Sequence, residues 1–218
     1  MAPKLGYYAI RALADPIRLM LHYADVEFED FHYYISPPPN YNRDAWFSVK
    51  YTLGFHFPNV PYYMDGDLKI TQTTAIMRYL GRKHDLIAKT EEEHIRSDQA
   101  EQVGMETMWQ FLIPLYTNKE HEKAINEAIP PKIEQFSKFL GDQKFLLGDR
   151  ITYVDFLWYS LLDYIRLYKS SLLDGAPNLI AFLDRIESLP RIATYLNSDK
   201  FYRKPICGSI AFWGGSKE

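Results

Sequence analysis

The spacing of apolar positions divides the chain into a mixed first part and a helical remainder. Within the first 84 residues, apolar positions predict strands at residues 5–10 and 27–33. Residues 15–23 between them repeat with the helical period, and Pro16 stands where the first turn of a helix tolerates proline. These segments predict a strand, a helix and a second strand, in that order.

A proline-rich loop separates this unit from a hairpin and a further helix. Three consecutive prolines exclude both helix and strand from residues 36–42. The sequence Asp65-Gly66-Asp67 supplies the turn of a hairpin between residues 62–64 and 68–70, and a helix at residues 72–83 follows it. The order βαβ, loop, ββα predicts a small sheet with one parallel and one antiparallel pair, packed against helices.

From residue 91 onward only helical periods recur. Thr152 and Asp155 open an apolar run with a variant of the capping box, and prolines at positions 130, 131, 177 and 190 are expected to separate the remaining helices. A βαβ-ββα sheet is the thioredoxin-like arrangement. We therefore predict an α/β thioredoxin-like N-terminal domain at residues 1–84, a linker at 85–90, and an all-α helical-bundle domain at 91–218.

Composition narrows the functional classes. With 47% apolar and 24% charged residues, the chain is an ordinary globular protein, and 25 basic against 28 acidic residues give no electrostatic case for nucleic acid or an anionic membrane. We find neither a membrane-spanning apolar run nor the apolar core of a signal peptide. Cys207 is the only cysteine, which favours a reducing compartment, here the cytoplasm. The six histidines show no metal-site spacing.

Two oddities flank the hairpin. Pro61 opens a buried-looking strand although it cannot donate to a ladder, and polar residues Gln72 and Thr73 open the next helix. A cis bond at Val60–Pro61 would leave the backbone groups of Val60 free to pair with a bound peptide, as in a one-residue β-augmentation. The helix N-terminus would attract that peptide's carboxylate. Alternatively, Pro61 only stiffens a turn and Thr73 only caps a helix.

A series of short motifs runs in register along nearly the whole chain: Leu5-Gly6-Tyr7, Ile10-Arg11, Ile17-Arg18, Asn42-Arg43, Leu53-Gly54, Phe57-Pro58-Asn59-Val60-Pro61-Tyr62, Asp65-Gly66, Lys69-Ile70-Thr71-Gln72, Arg82-Lys83-His84, Glu91-Glu92-Glu93, Ile95-Arg96, Ile151-Thr152 and Val154-Asp155-Phe156. Together they resemble the cytosolic glutathione transferases, most closely the mu class. The segment from Pro37 to Tyr41 resembles the extra loop of that class.

The resemblance implies glutathione as co-substrate, with no further cofactor and no metal. Tyr7 matches the catalytic tyrosine. The positions that match the glutathione site are Tyr7, Tyr8, Arg43, Trp46, Lys50, Asn59, Val60, Pro61, Gln72, Thr73 and, from the second subunit, Glu106. Those that match the apolar wall for small hydrophobic electrophiles are Ile10, Leu13, Ile35, Met105, Leu112, Tyr116 and Cys207. Phe57 resembles an aromatic key that docks in a partner subunit, which implies a homodimer.

The role expected of Tyr7 follows from thiol chemistry. A free thiol titrates near about pH 8.5, so little of it is the nucleophilic thiolate at neutral pH. A phenol that donates to the sulfur stabilises the anion and lowers its pKa. Because Tyr7 and Tyr8 are adjacent in a strand, they face opposite sides, and at most one can meet the sulfur. Taken alone, any one of the 17 tyrosines is far more often a packing residue than a catalytic one, and Met105 and Leu112 could equally be helix core.

Several positions depart from the mu pattern. Tyr8 stands for a tryptophan, Ala12 for a glycine, Thr73 for a serine and Glu106 for an aspartate, while Cys207-Gly208 stand where an aromatic often closes the apolar site. These differences bear on the range of electrophiles and leave the thiol-activating hydroxyl in place.

Two rival functions use the same fold. A thiol-disulfide oxidoreductase is rejected, because the required N-terminal cysteine is absent from the first 206 residues. Non-catalytic binding or carriage of hydrophobic ligands remains the alternative, and it can coexist with catalysis. Glutathione conjugation to hydrophobic electrophiles is the function that the sequence predicts.

Overall fold

A computed structural model describes residues 2–36 and 39–216 of the chain. Pro37 and Pro38, which belong to the predicted loop at residues 36–42, lie outside the described residues. Among the described residues, no helix combines the length and the apolar character needed to cross a membrane.

Four short strands form one sheet: β1 (Lys4–Tyr8), β2 (Glu29–Tyr33), β3 (Tyr62–Asp65) and β4 (Leu68–Thr71), in the order β2-β1-β3-β4. Strand β1 pairs parallel with β2 and antiparallel with β3, and β3 pairs antiparallel with β4. The sheet therefore contains the predicted parallel and antiparallel pairs, and β1 lies in its interior.

Eight α-helices accompany the sheet in the described part of the chain: α1 (Asp15–Tyr23), α2 (Asp44–Phe47), α3 (Thr73–Lys83), α4 (Glu91–Thr117), α5 (His121–Leu140), α6 (Tyr153–Tyr168), α7 (Pro177–Glu187) and α8 (Pro190–Leu196). The thioredoxin-like βαβ-ββα unit followed by helices confirms the predicted fold class. The proposed linker at residues 85–90 falls between α3 and α4.

A glycine allows β1 to pack closely against β3. A side-chain carbon at Gly6 would lie 2.0 Å from the ring of Tyr62, which leaves no room for any larger residue. The hydroxyl of Tyr62 lies 3.0 Å from that of Tyr33, so the two buried phenols satisfy each other across the sheet. This contact joins β2 and β3 over the strand that carries Tyr7.

The prolines behave in two ways. Pro177 and Pro190 begin α7 and α8, as predicted for residues that fit the first helical turn. The prediction that Pro130 and Pro131 separate helices is wrong, because both lie inside α5. The helix continues through them because one face of it is buried, and this packing outweighs the lost backbone hydrogen bonds. The buried positions are Ile125, Ile129, Ile133, Phe136 and Leu140.

The capping box that begins α6 is fully buried. The carboxylate of Asp155 accepts hydrogen bonds from the backbone N–H of Leu146 (2.8 Å), and from the N–H (2.7 Å) and hydroxyl (2.9 Å) of Thr152. Helix α6 packs against α1 and α4, so this cap fixes the helix that joins the two parts of the molecule.

We predict that Asp155→Ala destabilises the fold far more than an exposed cap does. The substitution leaves three buried donors without an acceptor, at a cost of about 1–3 kcal/mol each, so the free energy of unfolding should fall by about 3 kcal/mol or more. Thr90→Ala is the control, since Thr90 caps α4 at the surface and accepts from Glu93 at 3.2 Å. For Thr90→Ala, urea unfolding should show a loss of about 1 kcal/mol in the free energy of unfolding. Equal losses for the two variants would contradict the role of Asp155 as a buried cap.

Candidate functional site

The predicted peptide site lies at the start of β3. The Val60–Pro61 bond is cis, as expected from the sequence. Pro61 is buried and Val60 is partly exposed. In the described part of the chain, the backbone of Val60 makes no hydrogen bond to another backbone group. Its N–H and C=O can therefore pair with a peptide laid along this edge.

The N-terminus of α3 lies beside the end of β4. Gln72 precedes the helix with φ 78° and ψ 123°, a region that side-chain-bearing residues rarely occupy and that costs about 1–3 kcal/mol. Such strain is often found where a side chain must be aimed at a ligand. Thr73 is buried, and its hydroxyl donates to the carbonyl of Leu13 at 3.1 Å. Thr73 therefore offers a ligand its backbone N–H, together with the unpaired N–H groups of the first turn.

Tyr7 lies on the interior strand, with its ring only 6% exposed. It lines a cavity of about 150 Å³ with Leu13, Leu112 and Tyr116. Burial raises the pKa of Tyr7 well above its ordinary value, although a hydrogen bond with the backbone of Leu13 and the charge of Arg18 oppose the rise. The hydroxyl therefore keeps its proton at physiological pH and is able to donate a hydrogen bond. Tyr8 is partly exposed, as the alternation of a strand requires.

A buried guanidinium holds the turn that follows β1. Arg11 is 1% exposed, and it forms ion pairs with Asp15 (Nη2 to Oδ2, 2.9 Å) and with Asp163 of α6 (Nη1 to Oδ2, 2.7 Å). Nη1 also donates to the carbonyl of Arg203 at 3.2 Å. One side chain thus connects the turn, α1, α6 and the C-terminal segment.

Ala12, in the same turn, occupies the left-handed region with φ 28°. This conformation favours the glycine that the family resemblance predicts here, and for alanine it costs about 1–2 kcal/mol. The N–H of Ala12 donates to the carbonyl of Ile206 at 3.1 Å, and its own carbonyl accepts from the hydroxyl of Tyr164 at 2.9 Å. These two hydrogen bonds hold Ala12 in its left-handed conformation, close to Tyr7, although that conformation is strained.

The hydroxyl of Tyr116 is engaged with the C-terminal segment. It accepts a hydrogen bond from the N–H of Gly208 at 2.6 Å, and it donates to the thiol of Cys207. Cys207 is fully buried, and burial raises its pKa to about 12 although the bond from Tyr116 opposes the rise. Charge on Cys207 would raise the pKa of Tyr7 as well, so the three groups lie close together.

The predicted electrophile residues divide between two cavities. The cavity of about 150 Å³ is lined by Leu13, Leu112 and Tyr116, and a second cavity of about 490 Å³ is lined by Tyr8, Ile10, Ile35 and Cys207. Met105 lines neither of these two cavities. It packs against the main core instead, as the alternative interpretation of that residue predicts.

Of the residues predicted for the glycine end of glutathione, Arg43, Trp46 and Lys50 lie in or beside α2. Trp46 is 2% exposed and packs against the rings of Tyr33 and Tyr62, at centroid distances of 5.3 and 6.1 Å. Arg43 lies near enough to Tyr8 for its charge to oppose the burial-driven rise in the pKa of that phenol. Lys50 is partly exposed, and Asn59 is exposed two residues before Pro61.

Glu106 and Phe57 do not line either of the two cavities around Tyr7. Glu106, on α4, forms an ion pair with Lys132 of α5 at 2.9 Å and also accepts from Gln110 at 3.1 Å. Phe57 is 77% exposed on the loop before β3. Neither residue contributes to the cavities around Tyr7, which fits their predicted roles toward a second copy.

Sequence reasoning missed several residues that line the cavities. Trp109 and Ile113, which line the smaller cavity, are 42% and 50% exposed. Together with Leu112 and Tyr116 they follow the i, i+3, i+4, i+7 spacing of one helix face, so the sequence did contain the pattern that identifies them. The larger cavity also includes His32, Tyr34, Asp199, Tyr202, Lys204 and Ser209. Most of these belong to the irregular C-terminal segment, where no periodicity identifies them.

Tyr116→Phe should loosen the C-terminal segment, because it removes the acceptor of the Gly208 N–H. Loss of one hydrogen bond, worth about 1–1.5 kcal/mol, should speed exchange of the Gly208 amide about tenfold. Hydrogen–deuterium exchange measures this directly. Tyr79→Phe, which removes a hydroxyl bonded to Asp65 on the distant hairpin, should leave Gly208 unchanged. Equal protection in Tyr116→Phe and the native chain would show that the bond does not hold the segment.

Two sequence-family models match this chain. The model described as "Glutathione S-transferase, N-terminal domain" matches residues 3–82, and the model described as "Glutathione S-transferase, C-terminal domain" matches residues 105–199. The matched segments correspond to the sheet with its helices and to the following helical part.

Comparison with individual proteins extends the similarity over nearly the whole chain. Glutathione S-transferase Mu 2 of Rattus norvegicus is 46% identical over 215 residues, which cover 98% of this chain and 99% of that protein. Glutathione S-transferase Mu 3 of Homo sapiens is 45% identical over 96% of this chain and 94% of that protein. The crystal structure of the glutathione S-transferase Blo t 8 superposes with a TM-score of 0.89 at 31% identity, covering 97% of this chain and 99% of that one.

Proposed function

Because this chain belongs to the glutathione S-transferase family and is a glutathione transferase that matches mu-class members, we propose that Tyr7 activates the thiol of glutathione for attack on hydrophobic electrophiles. The observation that carries the proposal is the buried Tyr7 hydroxyl, whose raised pKa keeps it protonated beside an apolar cavity.

The energetics of one hydrogen bond are sufficient for this role. A hydrogen bond to a charged group is worth about 1.5–3 kcal/mol, which corresponds to about one to two units of pKa. A thiol that titrates near about 8.5 in water would then titrate near neutral pH at the site. Tyr7 donates to the sulfur throughout and is never deprotonated, because burial disfavours its phenolate.

The chemical step then requires only the thiolate and the electrophile. The thiol proton leaves to solvent, and the sulfur lone pair forms the new carbon–sulfur bond. A leaving group departs with its electron pair, or an activated double bond accepts the electrons and is then protonated. The apolar walls around Tyr7 hold the electrophile within reach of the sulfur and exclude water.

Glutathione itself would lie along the start of β3. The backbone of Val60 pairs with the peptide, and the γ-glutamyl carboxylate lies at Gln72 and the N-terminus of α3, where N–H groups and the helix dipole favour an anion. Arg43, Lys50, Trp46 and Asn59 surround the glycine end, where cations suit its carboxylate.

Carriage of hydrophobic ligands could use the same two cavities. A proton-retaining hydroxyl in the wall of the smaller cavity serves no purpose in a pure carrier, because buried polar groups weaken the binding of apolar ligands. The position of Tyr7 therefore favours catalysis over carriage alone.

We propose a homodimer in which Phe57 of each copy inserts between α4 and α5 of the other. A cavity of about 540 Å³ between these helices is lined by Val103, Phe136, Phe139 and Trp158. Phe57 is 77% exposed, and its loop is anchored by the hydroxyl of Thr71, which donates to the Phe57 carbonyl at 2.8 Å. When a two-fold axis relates two copies, the exposed ring of each copy can enter the apolar cavity of the other, so both contacts form at once.

Glu106 lies on α4, which also lines this cavity, and we propose that it reaches the glutathione amine bound by the second copy. We also propose a cytoplasmic location, since the free buried thiol of Cys207 suits a reducing compartment.

Tyr7→Phe should retain glutathione affinity and lose turnover. With 1-chloro-2,4-dinitrobenzene, we expect kcat to fall about 10- to 100-fold, the kinetic equivalent of about 1.5–3 kcal/mol. The pKa of bound glutathione, followed by thiolate absorbance, should rise by about one to two units. Tyr63→Phe, a change at another buried tyrosine of the sheet, serves as the control and should leave both quantities unaltered. Undiminished turnover in Tyr7→Phe would remove the proposed role.

Phe57→Ser should weaken the dimer, because two rings lose their apolar pocket. Burial of one phenylalanine is worth about 1.5–3 kcal/mol, so the dimer should lose about 3–6 kcal/mol of association free energy. Analytical ultracentrifugation over a range of concentrations measures the shift toward monomer. The matched control is Tyr51→Ser, since Tyr51 is equally exposed at 77%. The same dissociation constant for both variants would exclude Phe57 as the docking residue.

A further inference from the structure

We propose that the methyl group of Ala12 limits the space at the reacting carbon, so that this enzyme favours electrophiles whose attacked carbon bears no alkyl branch. The inference rests on the proposed conjugation function and adds a substrate class to it. Three observations support it: Ala12 lines the smaller cavity, it adjoins the residue that contacts the Tyr7 hydroxyl, and its backbone is held in a strained conformation.

Ala12 belongs to the wall of the cavity of about 150 Å³ that Tyr7 also lines. It is only 5% exposed, and it packs in one buried apolar cluster with Tyr7 and Ile10. Because alanine has a single side-chain carbon, its side chain adds one methyl group to this wall. In so small a cavity, one methyl group removes a substantial part of the space that a ligand can use.

This part of the wall is close to the place where the proposed reaction occurs. The backbone of Leu13, the residue after Ala12, is hydrogen-bonded to the hydroxyl of Tyr7. A sulfur that accepts from this hydroxyl lies within hydrogen-bond distance of it, and the attacked carbon is then about 3–3.5 Å from the sulfur. The attacked carbon therefore lies in the part of the cavity that Ala12 borders.

The backbone contacts of Ala12 prevent it from withdrawing from a substrate that crowds it. Its N–H donates to the carbonyl of Ile206 at 3.1 Å, and its carbonyl accepts from the hydroxyl of Tyr164 at 2.9 Å. The N–H of Arg11, one residue earlier, donates to the carbonyl of Pro205 at 3.0 Å. The leucine, tryptophan and tyrosine side chains of the same wall can change rotamer, but alanine has none to change. The methyl group is therefore a rigid part of the wall.

The conformation of Ala12 makes this methyl group costly. With φ 28°, the residue lies in the left-handed region, where glycine is free of strain and a residue with a side chain is not. Strain of this kind persists where the surrounding structure enforces it, and it concentrates at functional sites. Glycine would relieve the strain and enlarge the cavity, so what alanine adds at this position is the obstruction itself.

Two enones test the size limit: 1-phenylprop-2-en-1-one, and (E)-1-phenylbut-2-en-1-one, which carries one more methyl group on the attacked carbon. In both, the thiolate sulfur bonds to that carbon, the electrons of the double bond move to the carbonyl oxygen, and the enolate takes a proton from water. We define the selectivity as the ratio of kcat/KM values, unbranched over methylated, divided by the same ratio for the uncatalysed reaction with glutathione. Because both enones meet the same thiolate, changes in thiol reactivity cancel.

We expect a selectivity of about 10 in the native enzyme, since one methyl group that an apolar wall excludes is worth about tenfold or more. Ala12→Gly should reduce the selectivity to about 1. Ala12→Ser retains a side chain at the strained position and adds one oxygen atom, so it should raise the selectivity severalfold. A serine variant whose selectivity does not exceed the native value would contradict a limit set by size.

Ala14→Gly is the matched control. Ala14 belongs to the same turn and is fully buried, but its φ is −93° and it does not line the smaller cavity. This variant should retain the native selectivity. Ala12→Gly should unfold at no lower urea concentration than the native chain, because glycine adopts a positive φ without strain. A native selectivity near 1, or equal selectivities in the two glycine variants, would overturn the proposal.

A binding measurement separates this inference from the conjugation function. The glutathione analogue γ-glutamyl-2-aminobutyryl-glycine has no thiol, so in its presence the enones bind without reacting, and calorimetry compares their affinities. Binding of the unbranched enone about tenfold tighter than that of the methylated one, with the difference lost in Ala12→Gly, supports the size limit even if no electrophile is turned over. Turnover of 1-chloro-2,4-dinitrobenzene by the native enzyme, together with native selectivity in Ala12→Gly, would preserve the conjugation function and refute the size limit.

Discussion

The ion pairs of Arg11 are the interaction on which the surroundings of Tyr7 depend. This guanidinium is buried at the point where the turn after β1 meets α6 and the C-terminal segment, and its partners Asp15 and Asp163 are buried as well. Burial of charge is costly, and removal of one partner from such a group typically destabilises a protein by about 3–5 kcal/mol. These ion pairs lie outside the sheet. They hold the turn in which Ala12 is strained and in which Leu13 lies against Tyr7.

The two parts of the molecule contribute different things to the site. The sheet presents backbone groups at Val60 and at the first turn of α3, which suit a peptide whose shape does not vary. The helices and the C-terminal segment present side chains around two cavities, which suit ligands that differ in shape. Tyr7 lies between these two sets of groups, so in the proposed reaction a sulfur held by the first set would face an electrophile held by the second. This arrangement lets the range of electrophiles change without altering how glutathione is bound.

Local signals explain what the sequence could predict. The hairpin was predicted from Asp65-Gly66, and Gly66 has the positive φ of 60° that such a turn requires. The start of α6 was predicted from Thr152 and Asp155, whose contacts span only three residues. The features that were missed depend on distant contacts. The bond between Tyr116 and Gly208 joins residues 92 positions apart. Pro130 and Pro131 were misjudged because packing of the whole α5 face outweighs a local preference.

Burial of Cys207 bears on how the enzyme survives its own substrates. Electrophiles gathered in the larger cavity would meet the chain's single sulfhydryl, and alkylation there would obstruct the cavity permanently. Burial raises the pKa of Cys207 to about 12, so the thiol stays protonated at neutral pH and is a poor nucleophile. The sulfur of glutathione, which we propose that Tyr7 activates, is the better nucleophile of the two. Two sulfurs in neighbouring cavities would therefore behave differently: that of glutathione would be consumed in every cycle, and that of Cys207 would remain a protonated, unreactive lining group.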